Sequence, residues 1–220
     1  MKISHETLTL LKNFAGINGN ILVREGNTLA TVSPGKNILA RATVTDTFPR
    51  EFAVYDLNSL LALLTLVEDQ EVEFNESSIH ITMGNRDFEY FYSDPSVVTA
   101  APDKELEVDP FWTFTLTAED ISMINRAASI TDSQILNLVS DGNKVILKVT
   151  DPAKASSNSY RQELASGDTY PTFDVRLKVE NLKVVADTYE VSLGRKKAIR
   201  FKSANRDLVY FIAMDPSSVV

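Results

Sequence analysis

Asn85-Arg86-Asp87-Phe88-Glu89-Tyr90-Phe91, followed by Asp94-Pro95-Ser96, returns later in the chain as Asn205-Arg206-Asp207-Leu208-Val209-Tyr210-Phe211, followed by Asp215-Pro216-Ser217. Each copy reads as a tight polar turn, a strand carrying aromatic residues, and an Asp-Pro stop. Asn and Asp suit the turn because their short side chains bond local backbone, and Pro cannot donate to a sheet ladder. Five identities in seven positions, then the same Asp-Pro-Ser, exceed what the shared grammar of β-rich chains produces. The copies lie more than half the chain apart, so the sequence predicts two domains of one design, 1–105 and 106–220, each ending on this strand.

The same plan extends outward from the repeat. Ser4 is placed to cap a helix with Leu8, Leu11, Phe14 and Ala15 on its apolar face. Thr117 is placed to cap a second, with Ile121, Ile124, Ala127 and Ala128 in the matching positions. On the polar faces, Lys12 and Asn13 fall on Asn125 and Arg126. Short strands follow each helix, and Asp141-Gly142-Asn143 marks a hairpin between Ile135–Val139 and Lys144–Thr150. A further helix is expected in each half. One begins at Asp56 and carries Leu57, Leu60, Leu61 and Leu64; the other begins at Asn181 and carries Leu182, Val185 and Ala186. The alternation Phe173 to Val179 leads into the latter, pointing Arg176 and Lys178 away from the core. Three strands then close each half, at Glu71–Phe74, Ile79–Met83 and Phe88–Tyr92, and at Tyr189–Leu193, Ala198–Lys202 and Leu208–Met214. Ser93 to Asp109 reads as the interdomain linker, and the Ser-rich stretch Asp151 to Ser159 as a mobile loop. The fold class is α+β, two similar domains each with two helices packed on a mainly antiparallel sheet.

Composition narrows the chemistry. With no cysteine, disulfides and thiolate metal sites are excluded, and His5 and His80 sit in different elements, which leaves no histidine metal cluster. The first residues lack a signal-peptide layout, and the longest apolar run, Leu60 to Val67, is too short for a bilayer, so a cytosolic protein without membrane contact is expected. There is no Gly-rich phosphate loop, nucleophile elbow or Ser/His/Asp set, so neither catalysis nor a cofactor is expected. His5 reads as a first-turn residue, His80 as a solvent-facing strand residue, and Asp56 as a helix cap rather than one of a catalytic carboxylate pair with Asp46 or Glu51. Arg195-Lys196-Lys197 reads as a hairpin turn, with a DNA or partner contact as the other option. Trp112 alternates with Phe114 and Leu116, as core or interface packing does. The net charge of −8 argues against affinity for nucleic acid through phosphate neutralisation alone.

Leu10-Leu11-Lys12-Asn13-Phe14-Ala15-Gly16-Ile17-Asn18, Val54-Tyr55-Asp56-Leu57-Asn58 and Asp94-Pro95-Ser96-Val97-Val98 resemble the sliding clamps of T-even-type bacteriophages. The resemblance covers the whole chain by layout and is closer by residue in the first half. It implies the DNA-clamp fold, assembled as a homotrimeric ring around duplex DNA. An ATP-driven clamp loader would load it, and it would tether the replicative DNA polymerase for processivity and serve late transcription. The DNA-facing residues would be Lys12, Asn13, Asn125, Arg126 and Lys183, a set without a carboxylate. A short apolar tail of the polymerase or loader would dock beside the linker, at Val97 and Val98 with Met214, Val219 and Val220.

Helix packing at about 10 Å would give twelve helices a clear bore of roughly 28 Å, and eight helices only roughly 15 Å, so four helices per chain imply three chains. Two readings from other classes stay open on sequence: a two-domain β-rich viral structural or assembly protein that never binds DNA, and an enzyme whose site is not legible.

Overall fold

Three polar side chains start the three α-helices of the described residues. The Ser4 hydroxyl accepts from the Thr7 amide at 3.2 Å and opens α1 (His5–Ile17). The Asp56 carboxylate accepts from the Ser59 amide at 3.0 Å and opens α2 (Leu57–Leu64). Thr117 and Asp120 exchange bonds at the start of α3 (Ala118–Thr131), each side chain accepting from the other's backbone N–H. Such caps satisfy amides that have no partner inside the helix, each stabilising by about 1 kcal/mol. Asp132, with φ of 51°, closes α3 in the left-handed conformation.

The computed structural model describes residues 1–66, 71–104, 106–151 and 158–220. Residues 152–157, at the centre of the expected mobile loop, lie outside them. The chain divides into two units, Met1–Glu105 and Leu106–Val220.

In the first unit, α1 and α2 bury Leu10, Leu11, Phe14, Leu57, Leu60 and Leu64. β1 (Ile21–Val23) pairs with β4 (Phe52–Val54), and β2 (Gly26–Val32) with β3 (Ile38–Phe48). β5 (Glu71–Phe74), β6 (Ser78–Met83) and β7 (Arg86–Phe91) form an antiparallel sheet in that order. Its buried face carries Val72, Ile79 and Ile81. The outer edge of β5 is closed by Met1, whose α-amino group donates to the Val72 carbonyl at 2.6 Å while the Val72 amide donates to the Met1 carbonyl at 2.7 Å.

In the second unit, α3 buries Ile121, Ile124, Ala127 and Ala128. β9 (Ile135–Ser140), β10 (Lys144–Thr150), β11 (Tyr160–Ser166) and β12 (Phe173–Lys178) form an antiparallel sheet in the order β11-β10-β9-β12. The face with Leu136, Leu138, Val145, Leu147, Val149, Val175 and Leu177 is buried. The outer edge of β12 is closed by the C-terminal segment: the Asp174 and Val219 amides each donate to the other's carbonyl, at 2.9 and 2.8 Å. β8 (Pro110–Leu116), β13 (Tyr189–Gly194), β14 (Ala198–Ser203) and β15 (Leu208–Ala213) are also antiparallel, β13 lying between β8 and β14 and β14 beside β15.

The helix expected from Asn181 does not form. A single 3-10 turn, Val179–Asn181, is followed by extended chain. Seven residues separate Asn181 from β13, too few for a helix to be stable by itself, and Val184-Val185 is β-branched. Side chains hold the segment instead. The Val185 amide donates to the Tyr210 hydroxyl, and the Tyr189 hydroxyl donates to the Val185 carbonyl at 2.7 Å. Asp187, 6% exposed, accepts from Ser203, Asn205 and Arg206. Burial alone would raise the Asp187 carboxyl, but these donors and the Thr188 amide hold it below the ordinary aspartate value. With three α-helices among the described residues, the twelve-helix lining of a trimer is not made from four helices per chain. No helix among them is long and apolar enough to cross a membrane.

Candidate functional site

The proposed DNA-facing residues lie on the solvent sides of α1 and α3 and in the segment that replaces the fourth helix. Lys12, Asn125, Arg126 and Lys183 are exposed, and Asn13 is half-buried. Lys183 follows the 3-10 turn and is oriented by backbone, its amide donating to the Asn181 carbonyl at 2.8 Å. Carboxylates close in sequence to this set sit in first turns, Glu6 on α1, Glu119 and Asp120 on α3 and Glu180 in the 3-10 turn before Lys183. Asp120 is also committed to the cap and to Gln162, whose amide donates to it at 2.7 Å. Burial would raise its carboxyl, and the bonds from Thr117 and Gln162 outweigh that and lower it.

α3 also exposes a second stripe. Met123, Arg126 and Ile130 recur at spacings of three and four, so they share one side, and Ile130 is 81% exposed. Sequence reading missed this apolar pair because both positions fall off the helix's buried face.

The proposed partner-binding residues divide between the units. In the first, Val97 is exposed and Val98 buried, at the 3-10 turn Pro95–Val97 that Asp94 caps. In the second, Met214 is buried while Val219 and Val220 are exposed. The linker beyond Val98 is held to its own unit. Arg24 donates to the Ala101 carbonyl and pairs with Asp103 at 2.8 Å, and Arg41 donates to the Pro102 carbonyl at 2.7 Å.

Arg195-Lys196-Lys197 forms the β13–β14 hairpin turn, with Lys197 at φ of 58° and its ammonium donating to the Pro216 carbonyl. Arg176 and Lys178 point away from the buried face as strand alternation requires, and Arg176 pairs with Asp174 at 2.9 Å. Trp112 is half-buried and stacks on Phe114, ring centroids 4.7 Å apart. His80 is half-buried with Nε2 3.3 Å from Asp87.

The repeated strand differs sharply in its two settings. In β15, Leu208, Tyr210, Phe211 and Ile212 are all buried. In β7, the matching strand, Phe88 is 38% and Phe91 63% exposed, and no residue is buried. The outer edge of β7 has no strand partner among the described residues, nor has that of β11. Open edges carry a row of unpaired N–H and C=O groups ready to pair with another chain. β8, an outer strand of the second unit, is blunted by Pro110 and by a bulge opposite Gly194.

This architecture is the DNA-clamp fold. The proliferating cellular nuclear antigen of Entamoeba histolytica superposes with a TM-score of 0.68 at 10% identity, covering 94% of each chain. Residues 4–98 match the family described as DNA polymerase processivity factor. The sliding clamp of Vibrio phage KVP40 is 32% identical over 98% of this chain and 99% of its own, and that of Enterobacteria phage T4 is 28% identical over 99% and 98%. The chain belongs to the sliding clamp family of T4-like phages. Family membership selects the clamp over the structural or assembly protein that the sequence alone left open.

Proposed function

We propose that three copies of this chain close head to tail into a ring that encircles duplex DNA, tethers the replicative DNA polymerase and confers processivity without catalysis of its own. An ATP-driven clamp loader opens and closes the ring, and the same ring, free to slide, serves late transcription in the cytoplasm of the infected host.

The observation that carries this reading is the contrast between β15, buried within one chain, and β7, its sequence twin, in which no residue is buried. A strand with aromatic residues and no cover is an interface waiting for a partner. β11 supplies a second open edge, so one copy can offer β7 and the next β11, a heterologous contact that generates a closed ring when the rotation fits. Exposed apolar side chains also lie on, or just beyond, the helices whose first turns these two strands bond. Leu66 lies just beyond α2, whose capping residue Asp56 accepts through its carbonyl from the Tyr90 hydroxyl of β7 at 3.0 Å. Met123 and Ile130 lie on α3, which Gln162 of β11 bonds through Asp120.

Lys12, Asn13, Asn125, Arg126 and Lys183 form the DNA-facing set. A ring is retained by topology, so weak, screened phosphate contacts suffice, and an acidic protein can do this work. The polymerase or loader tail docks beside the linker, at Val97 with Val98 and at Met214, Val219 and Val220.

The test combines native mass with DNA topology. A trimer at micromolar concentration that, once loaded, stays on closed circular DNA and leaves linear DNA from its ends is the expected result. A stable monomer or dimer, or equal retention on both DNAs, overturns the ring.

A further inference from the structure

Charge of opposite sign collects at the two open edges. On the face of the β5–β6–β7 sheet opposite Val72, Ile79 and Ile81, His80 stands directly across from Glu73 on β5 and Glu89 on β7. Glu71 and Asp87 share that face, both directly across from Thr82. Four carboxylates thus surround one histidine, and two of them, Asp87 and Glu89, lie on the edge strand itself.

On the solvent face of the second unit's sheet, Arg161 of β11 stands directly across from Lys148 of β10. Like charges in directly opposed positions destabilise a sheet. Among the described residues neither cation has a carboxylate within ion-pair distance, whereas Arg176 on the same row is paired with Asp174. Asn137 lies between Lys148 and Arg176 in this row, nine-tenths buried and with its Oδ1 unbonded. The unpaired positive charge therefore sits at the β11 end, with Glu163 two residues along the same face.

We propose that these edges form an electrostatic latch between copies of the chain, in which Asp87 and Glu89 of one subunit face Arg161 and Lys148 of the next. This rests on the ring reading and specifies which charges set its polarity and its response to salt. Antiparallel pairing with Asp87 opposite Arg161 also sets Phe88 opposite Tyr160 on the other face and Asn85 opposite Glu163. Slipping by two residues to bring Glu89 against Arg161 would set Asp87 against Glu163, like against like, so the first register is preferred. Lys148, one strand in at about 4.8 Å, reaches the same acidic face with its flexible stem. The latch also disfavours wrong joints, because β7 meeting β7, or β11 meeting β11, brings like charges together.

Charge reversal tests this, with mass photometry and sedimentation reading assembly and circular dichroism checking the fold. One variant carries Asp87→Lys and Glu89→Lys, the other Lys148→Glu and Arg161→Glu. Each alone should weaken self-association by about tenfold or more at low salt. The four substitutions in one chain should restore the trimer. Mixing the two variants should give alternating pairs and even-numbered assemblies but no three-membered ring, because an odd ring cannot alternate. Wild-type association should weaken as salt rises from 0.05 to about 0.5 M, where screening shortens to a few ångströms. Unchanged assembly of either variant would mean that these charges only guard the edges against aggregation, and would overturn the latch while leaving the ring intact. Failure of the fourfold variant to recover would overturn it as well. A monomeric wild type would remove the ring itself.

Discussion

Asp187→Ala removes a nearly buried carboxylate that organises the segment standing where a helix was expected. The carboxylate accepts from the Ser203 hydroxyl at 2.6 Å, the Thr188 amide at 2.8 Å, the Arg206 guanidinium at 3.0 Å and the Asn205 amide. Bonds to a charged group are each worth about 1.5–3 kcal/mol, and losing one partner of a buried ion pair costs about 3–5 kcal/mol, but such terms do not add. The Arg206 side chain is 33% exposed, so water recovers part of its loss, whereas the Ser203 hydroxyl is covered. The expected destabilisation is about 2–4 kcal/mol at neutral pH. Urea unfolding followed by tryptophan fluorescence measures it directly, because Trp112 is the sole tryptophan and lies in the same unit as Asp187. The folded-state carboxyl is held below its ordinary value, so its stabilisation is complete above about pH 5 and is lost as pH falls through that lowered value. The gap between wild type and variant should accordingly be flat from pH 7 to about 5 and close in stronger acid. A loss below about 0.5 kcal/mol at pH 7, or a gap that widens in acid, would refute the reasoning.

Lys12→Glu, Arg126→Glu and Lys183→Glu, singly or together, should leave the trimer unchanged in sedimentation but reduce loading and processivity, with the deficit growing as salt is lowered; an unchanged processivity at low salt would remove these residues from the DNA-facing set. Val97→Asp, at an exposed position, should abolish capture of a polymerase-tail peptide in fluorescence anisotropy with Tm unchanged, while Val98→Asp, at a buried one, should lower Tm. Full peptide binding by the Val97 variant would rule out that docking site. Gly194→Ala would place a Cβ 2.5 Å from Val108 Cγ1 and 2.8 Å from the Ala198 carbonyl oxygen, so a loss of about 1–3 kcal/mol is expected in thermal unfolding. An unaltered Tm would mean that the bulge relaxes freely.

Local signals carried most of the fold. Ser4, Asp56 and Thr117 were legible as caps because a short acceptor followed by an apolar period has one structural use. The closing strands of both halves were legible for a similar reason, since turn residues bracket each of them. What failed depended on distant partners. Asn181 to Ala186 has a cap and apolar positions, but Tyr210, Asn205 and Arg206, far along the chain, hold that region extended through Val185 and Asp187. β11 was missed because Tyr160, Gln162 and Leu164 alternate only weakly in polarity, as suits an edge strand that is never fully buried in one chain. Of the candidate site, exposure of Lys12, Asn125 and Arg126 followed from the helical period. The apolar stripe of Met123 and Ile130 did not, because its cover lies outside the chain on the reading proposed above.

The two ends of the chain bear on how such subunits can grow. Met1 pairs with β5 and Val219 with β12, so among the described residues the β5–β6–β7 sheet and the β11–β10–β9–β12 sheet each have one sealed margin and one open one. On the ring reading proposed above, a copy that joins its neighbours through β7 and β11 alone adds them along a single line, never in branches or layers. Such a line either curves back on itself or runs on as a filament, and nothing in the edges decides which; the angle between successive copies does. Substitutions that stiffen or tilt the proposed β7–β11 joint are therefore expected to produce fibres rather than amorphous aggregate, a distinction that electron microscopy would make visible.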